Sequence, residues 1–429
     1  VRTERIEEQV DVLDHLPADV SAAWLRHGQG MVARGEVWRC ETSGDDRFDS
    51  ASEQFSRLAR AADVRDDVQV RGSGLVAFGT FSYAASSPRP SHLMVPAAIL
   101  GVYDGEAFLT TLTVREPASA DARTRADADD SLPPLARDAN GQPEWRPLFP
   151  GTPERPGAHL EIHPDHSPEE YQALVSAAVD RIRAGEAGKV VLSESMSITS
   201  DHPAVPAVLL RRLARAYPTT WTYHLGDVIG ASPEMLADTR DRRVFSRVLA
   251  GSRPVADGAE LDERDRTAFR HDAKERSEHA YAIDSVIESL EPLTATLNRP
   301  AEPYVLRLPG IEHLASDVSG LLREGSTSLE VAGALHPSAA VSGTPRKTAD
   351  AVIADLEPRD RGGYASPVGW MDARGDGQWA IALRMAHLDV NGGLRLQAGG
   401  GLVADSDPVA EHAEVLAKCR PLLKAIRGD

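Results

Sequence analysis

Short apolar stretches closed by glycine, proline or aspartate recur along this chain, interleaved with longer helical repeats. The stretches SGLVAFGTFSYA, LMVPAAILGVYDG and AFLTTLTV have the length and turn punctuation of antiparallel strands. Further on, helix and strand signals are mixed, but not as regular strand–helix–strand units. The pattern predicts an α+β fold with large, mainly antiparallel sheets.

The clearest signals follow residue 160. Ser167-Pro-Glu-Glu170 reads as a capping box with proline at the first helical position. Tyr171, Leu174, Val175, Ala178, Val179 and Ile182 then repeat at helical spacing. KVVLSESMSI reads as a strand with Val190, Leu192, Met196 and Ile198 on one face together with Glu194. Lys189, Val191, Ser193, Ser195 and Ser197 share the other face. A helix is predicted over about Asp265–Leu290, and a strand over Gln378–Val390 with LRLQAGGGLV as its partner. Asp407-Pro408 opens a last helix, with aspartate as the cap. Residues near 115–155, rich in Ala, Asp, Arg and Pro, read as a surface loop or linker. The organisation expected is an N-terminal sheet-forming part, 1–160, in one fold with a catalytic region, 161–429.

Composition excludes several classes. Lys and Arg number 47 against 65 Asp and Glu, so the net charge is −18 over 429 residues. Nucleic acid and anionic membrane need clustered basic residues. Cys40 and Cys419 are too few for a disulfide framework or a Cys-rich zinc site. No stretch approaches the ~20 apolar residues of a membrane helix. The N-terminal residues carry charge without an apolar signal core. A soluble, cytoplasmic protein is expected. With 41% apolar but only 5% aromatic residues, its core should be largely aliphatic.

Several constellations could carry chemistry. Gly185-Glu-Ala-Gly188-Lys189 resembles the end of a phosphate-binding loop, but Arg183 stands where its first glycine belongs. Glu275 and Glu278 share one helix face, as do Glu411 and Glu414. Facing each other, such pairs would suit Mg²⁺; apart, they are wet helix surface. Lys189, beside apolar residues, could act as a base if shielded from water, or could reach solvent from a strand end. Glu234 in GASPEML could be a protonated acid or a turn cap. Arg384, within an apolar strand, needs an anion or an acidic partner if buried. Lys418 could reach a substrate carboxylate or pair with Glu414. Glycines in LAGS, SGTPR and AGGG permit close backbone approach to a ligand, or serve ordinary turns.

Taken in order, KVVLS, GASPEML, VLAGSRP, DAKERSEH, IEHLASDVSG, LHPSAAVSGTPR, RGGYASPVGW with GDGQWAIALRMA, and QAGGGLVADSDPVAEHAEVLAK resemble the chorismate-utilising enzymes. That group comprises isochorismate, salicylate, anthranilate and aminodeoxychorismate synthases. The resemblance covers Lys189 to Leu423. It implies stacked antiparallel sheets surrounded by helices, with the active site between the sheets, and Mg²⁺ as cofactor. It also implies roles. Lys189 would be the general base and Glu234 the general acid. Glu278 and Glu414 would bind metal, with Glu275 and Glu411 nearby. Gly251, Ser252, His313, Thr344, Tyr364, Arg384, Gly399 and Lys418 would hold or line the substrate.

Two positions separate the members. Anthranilate synthases resemble this chain but carry Gln where Lys189 stands, and aminodeoxychorismate synthases carry a nucleophilic Lys where Ala250 stands. Both differences imply water as the nucleophile, with no glutaminase partner and a monomer as the expected assembly. Isochorismate synthase is the activity implied, for menaquinone or siderophore synthesis. The alternatives are salicylate synthase and an inactive chorismate-binding homologue. Glu194 departs from the family, which usually carries Arg there; no sequence feature accounts for it, and a partner elsewhere is one reading. Val415 and Gly400 replace the usual Thr and Ala.

Overall fold

A computed structural model describes residues 1–114, 135–139, 141–255, 263–308, 311–389 and 393–429. Its strands form two sheets, of thirteen and ten strands among the described residues. The central pairings are antiparallel, whereas Arg2–Ile6 runs parallel to Arg65–Asp66. Among the described residues eight α-helices surround them: α1 (Arg47–Ala61), α2 (Pro168–Arg183), α3 (Pro206–Ala216), α4 (Glu263–Arg270), α5 (Ala273–Leu290), α6 (Ser328–Leu335), α7 (Arg346–Leu356) and α8 (Pro408–Arg427). The fold is α+β, with stacked and mainly antiparallel sheets.

The larger sheet is buried on both faces, and its period-two alternation divides each strand between two cores. Ala22, Trp24, Met31, Ala33 and Phe108 pack toward the smaller sheet. Their neighbours Ala23, Leu25, Val32 and Leu109 pack on the opposite face, under Val175 of α2, Leu210 of α3, Val352 of α7 and Val415 of α8. Burial on both faces explains why these strands read as continuous apolar runs. The few aromatic residues are concentrated between the sheets, where Trp24, Phe78, Phe81, Trp370 and Trp379 are almost completely buried. A hydrogen bond of 3.0 Å from Trp24 Nε1 to Gln378 Oε1 joins the two layers.

Both helix-start signals are present. Ser167 Oγ accepts from the Glu170 amide, and Glu170 accepts from the Ser167 amide. Asp407 caps α8 by accepting from the Ala410 amide at 2.9 Å. Three expectations need correction. The helix expected from Asp265 is two helices, α4 and α5, divided at His271–Asp272 because Asp272 Oδ1 accepts from the Glu275 amide and starts a new helix. The strand expected over Gln378–Val390 is also two, Gly377–Ile381 in the smaller sheet and Met385–Leu388 in the larger. Of the loop near 115–155, residues 115–134 and 140 lie outside the described residues, but Trp145, Leu148 and Phe149 are buried anchors on the helix-covered face.

One buried ion pair fixes the strand that begins at Lys189. Arg361 donates to both Glu357 oxygens, to the Val341 carbonyl at 2.7 Å and to the Val191 carbonyl at 2.7 Å. Glu357 also accepts from the Ser193 amide at 2.7 Å. Arg361→Ala is therefore expected to cost about 3–5 kcal/mol, since it leaves a buried carboxylate without its cation. Urea denaturation of the variant checks this value.

Candidate active site

Glu234 and Arg384 lie where the chain passes from one sheet to the other. Val228–Ser232 belongs to the larger sheet and Met235–Arg240 to the smaller, so Pro233-Glu234 is a crossing. Ala382–Arg384 makes the opposite crossing between Gly377–Ile381 and Met385–Leu388. Backbone bonds hold the crossings side by side. The Ile381 amide donates to the Glu234 carbonyl at 3.1 Å, and the Ala231 amide to the Arg384 carbonyl at 3.2 Å. Ser232 Oγ donates to the Ile381 carbonyl at 2.6 Å. Arg384 adopts φ = 49°, which is unusual for a residue with a side chain. The sharp turn ends one strand and re-aims the next.

Glu234 is part of a cleft of about 790 Å³, measured with its open mouth, that Lys189, Ala250 and Thr344 also line. Lys189 is the first residue of its strand and pairs with Thr344 across the short strand Gly343–Thr344. On its other side the Lys189 strand pairs with Leu394–Leu402. A Cβ on Gly401 would stand 2.8 Å from Lys189 Cε, so glycine there leaves room for the lysine stem. Burial pushes the Glu234 carboxyl above its usual pKa, while the charges of Arg384, Lys189 and Lys418 oppose that rise. His313 is pushed the other way, first by burial and then by the charge of Lys189.

The remaining candidates are not among the residues that line this cleft, although Arg384 and Lys418 stand close enough for their charges to act on Glu234. Among the described residues no carboxylate lies within ion-pair distance of Arg384. The hydroxyl of buried Tyr364 stands 2.9 Å from the place a Cβ on Gly399 would occupy. Lys418 is already engaged: it donates to the Gly399 carbonyl at 2.8 Å and pairs with Glu414 at 2.6 Å. Ser252 pairs with His313 across the strands, but the Ser252 side chain lies outside the described residues.

The carboxylates stand on the two expected helices, Glu275 on α5 and Glu411 with Glu414 on α8. The side chain of Glu278 lies outside the described residues. Among the described residues no three His, Cys, Asp or Glu side chains gather as a metal cage. Glu411 accepts from Ser406 Oγ at 2.6 Å, and its pKa is raised by burial and by neighbouring Glu414, against the Ser406 hydrogen bond.

Glu194 finds its partner outside the cleft. Its buried carboxylate lies 3.1 Å from His166 Nδ1, in the segment just before α2. Burial raises its pKa and the His166 contact lowers it. Arg346 is a cleft-lining cation that the sequence reading passed over. The SGTPR segment stands out in sequence for its glycine, and the arginine at its end is the signal that points to this role.

Stacked sheets with a lysine, a carboxyl and an arginine that has no carboxylate partner among the described residues define an enzyme site suited to a small anionic substrate. The chain belongs to the chorismate-binding enzyme family, whose model, described as "Chorismate binding enzyme", matches residues 21–427. It is 38% identical over 289 residues to the isochorismate synthase DhbC of Bacillus subtilis, covering 64% of this chain and 72% of that one. It is also 38% identical over 267 residues to anthranilate synthase component 1 of Streptomyces coelicolor, covering 60% of this chain and 51% of that one. The structure of MenF, the menaquinone-specific isochorismate synthase from Escherichia coli, shares the fold, with a TM-score of 0.74 at 23% identity over 99% of this chain and 94% of that one.

Proposed function

We propose that this enzyme is an isochorismate synthase, which converts chorismate to isochorismate by adding water at C2 with loss of the C4 hydroxyl. The observation that carries the reading is the pairing of Lys189 with Glu234 in one cleft where Ala250 supplies no nucleophilic side chain. Lys189 takes a proton from water as its oxygen bonds to C2. The ring double bonds shift, the C4–O bond breaks, and Glu234 gives its proton to the departing oxygen. One water enters and one leaves, so no redox partner is needed. Arg384 offers a charge-assisted contact to a substrate carboxylate.

Mg²⁺ is part of the proposal. The donor set of Glu275, Glu278, Glu411 and Glu414 offers oxygen only, which suits a hard cation. The mutual repulsion of Glu411 and Glu414 is the kind that a divalent ion relieves. When bound, the ion would neutralise a substrate carboxylate.

Incubation with chorismate and MgCl₂, followed by chromatography, is expected to give isochorismate without salicylate or pyruvate. Salicylate with equimolar pyruvate would instead assign the elimination reaction. Chorismate binding without turnover would remove the catalytic reading altogether. EDTA is expected to abolish turnover.

A further inference from the structure

His279 is buried on α5, one turn beyond Glu275, and both ring nitrogens have partners. Nδ1 lies 3.0 Å from the Ala250 carbonyl oxygen, and Nε2 lies 2.8 Å from Ser316 Oγ. A carbonyl only accepts, so Nδ1 carries a proton, and the Ser316 hydroxyl can donate to Nε2. The imidazole thus ties α5 to two neighbouring strands, Arg243–Pro254 and Ile311–Leu322.

These contacts converge on an irregularity. Between Ala250 and Ser252 the pairing of the two strands slips, leaving Gly251 as an extra residue with φ = +76°. Bulges of this kind re-aim a strand and are common beside active sites. A Cβ on Gly251 would stand 3.0 Å from the Glu275 carbonyl oxygen and 3.2 Å from its carboxylate. The Glu275 turn therefore rests on the bulge, while His279 is bonded to the residue just before it. Residues four apart share a helix face, so one face of α5 carries both a candidate carboxylate and its anchor.

Hydrophobic burial does not do this at the same end of the helix. Ile283 and Leu290 anchor the later turns. Among the described side chains of residues 273–282, only His279 is buried. The first turns of α5 are thus held by directional hydrogen bonds, and these fix position where apolar contact would allow sliding.

We propose that His279 is a positioning residue: it holds the carboxylate-bearing turn of α5 on the Gly251 bulge and so sets where Glu275 stands beside the cleft. The inference rests on the Mg²⁺-assisted reading given above. Partners in the outer shell of a metal site are worth about 10–100-fold in metal affinity or activity.

The test is Mg²⁺ binding to the substrate-free protein by calorimetry, together with the Mg²⁺ concentration that half-saturates turnover. His279→Ala is expected to raise both about 10–100-fold, with kcat largely recovered at saturating Mg²⁺. His279→Asn, whose amide nitrogen can replace Nδ1 toward Ala250, is expected to restore most of the loss. Ser316→Ala, a milder change, is expected to shift both quantities in the same direction by less. It decides the matter if His279→Ala does not fold. Unchanged Mg²⁺ dependence in the variants, or a fall in kcat without that shift, overturns the proposal. A native protein that binds no Mg²⁺ and ignores EDTA overturns the metal reading, and this inference with it. The two failures are told apart by the native protein alone.

Discussion

Lys189→Ala is expected to lower kcat with chorismate by about 10²–10⁴-fold, the usual contribution of a general base. The substitution should spare the fold. Lys189 stands at the start of its strand, and the backbone pairing with Thr344 and the Arg361 clamp on Val191 do not use its side chain. The thermal midpoint should therefore stay close to that of the native protein while turnover falls. A second readout separates loss of the base from a general disturbance. Burial holds the His313 pKa down, and Lys189 adds to this while its amine is protonated. Its removal should let the His313 titration rise toward the ordinary histidine value, which NMR can follow. Near-native turnover in the variant would end the assignment of Lys189 as base.

The grouping of Lys189 with Glu234 shows how far the sequence could be read. Local rules carried the capped helix starts at Ser167 and Asp407, because a cap is a contact between residues two or three apart. Alternation carried the strand at Lys189 and placed Glu194 on its apolar face. The site itself depends on two crossings between sheets, and these leave little trace. Through Ala382, Leu383 and Arg384 the apolar pattern simply continues, so one strand is read where there are two. The turn uses a positive φ at an arginine, which carries none of the sequence signature a glycine would give. The break between α4 and α5 was different. Asp272 followed by Glu275 is a readable helix start, but the apolar face that suggests the helix begins only at Ala280 and carries no information about the break. The partner of Glu194 was beyond local rules, since His166 lies in another element and meets it only through the tertiary fold. The motif resemblance supplied what local rules could not, by naming distant residues as members of one site.

Glu234→Gln is the sharper test of the chemistry, because it keeps shape and polarity but removes the acidic proton. Turnover is expected to fall about 10²–10⁴-fold with chorismate binding retained. In the native enzyme the acid must be protonated to act, so kcat should fall as pH rises through the raised pKa of Glu234. Stability gives an independent measure with a definite sign. The folded pKa of Glu234 is higher than that of an unfolded glutamate, so between the two values the folded state binds more protons. The stabilising contribution is complete below the ordinary carboxylate range, near about 4.3. It is lost as pH rises through the folded pKa. Above that pH the native protein holds an ionised carboxylate in a half-buried position, and glutamine does not. The variant should therefore match or exceed the thermal midpoint of the native protein above the folded pKa of Glu234 and lose that advantage below the ordinary carboxylate range. A variant that is equally inactive but less stable above that pKa would indicate that Glu234 supports the crossing between the sheets, not that it supplies the proton.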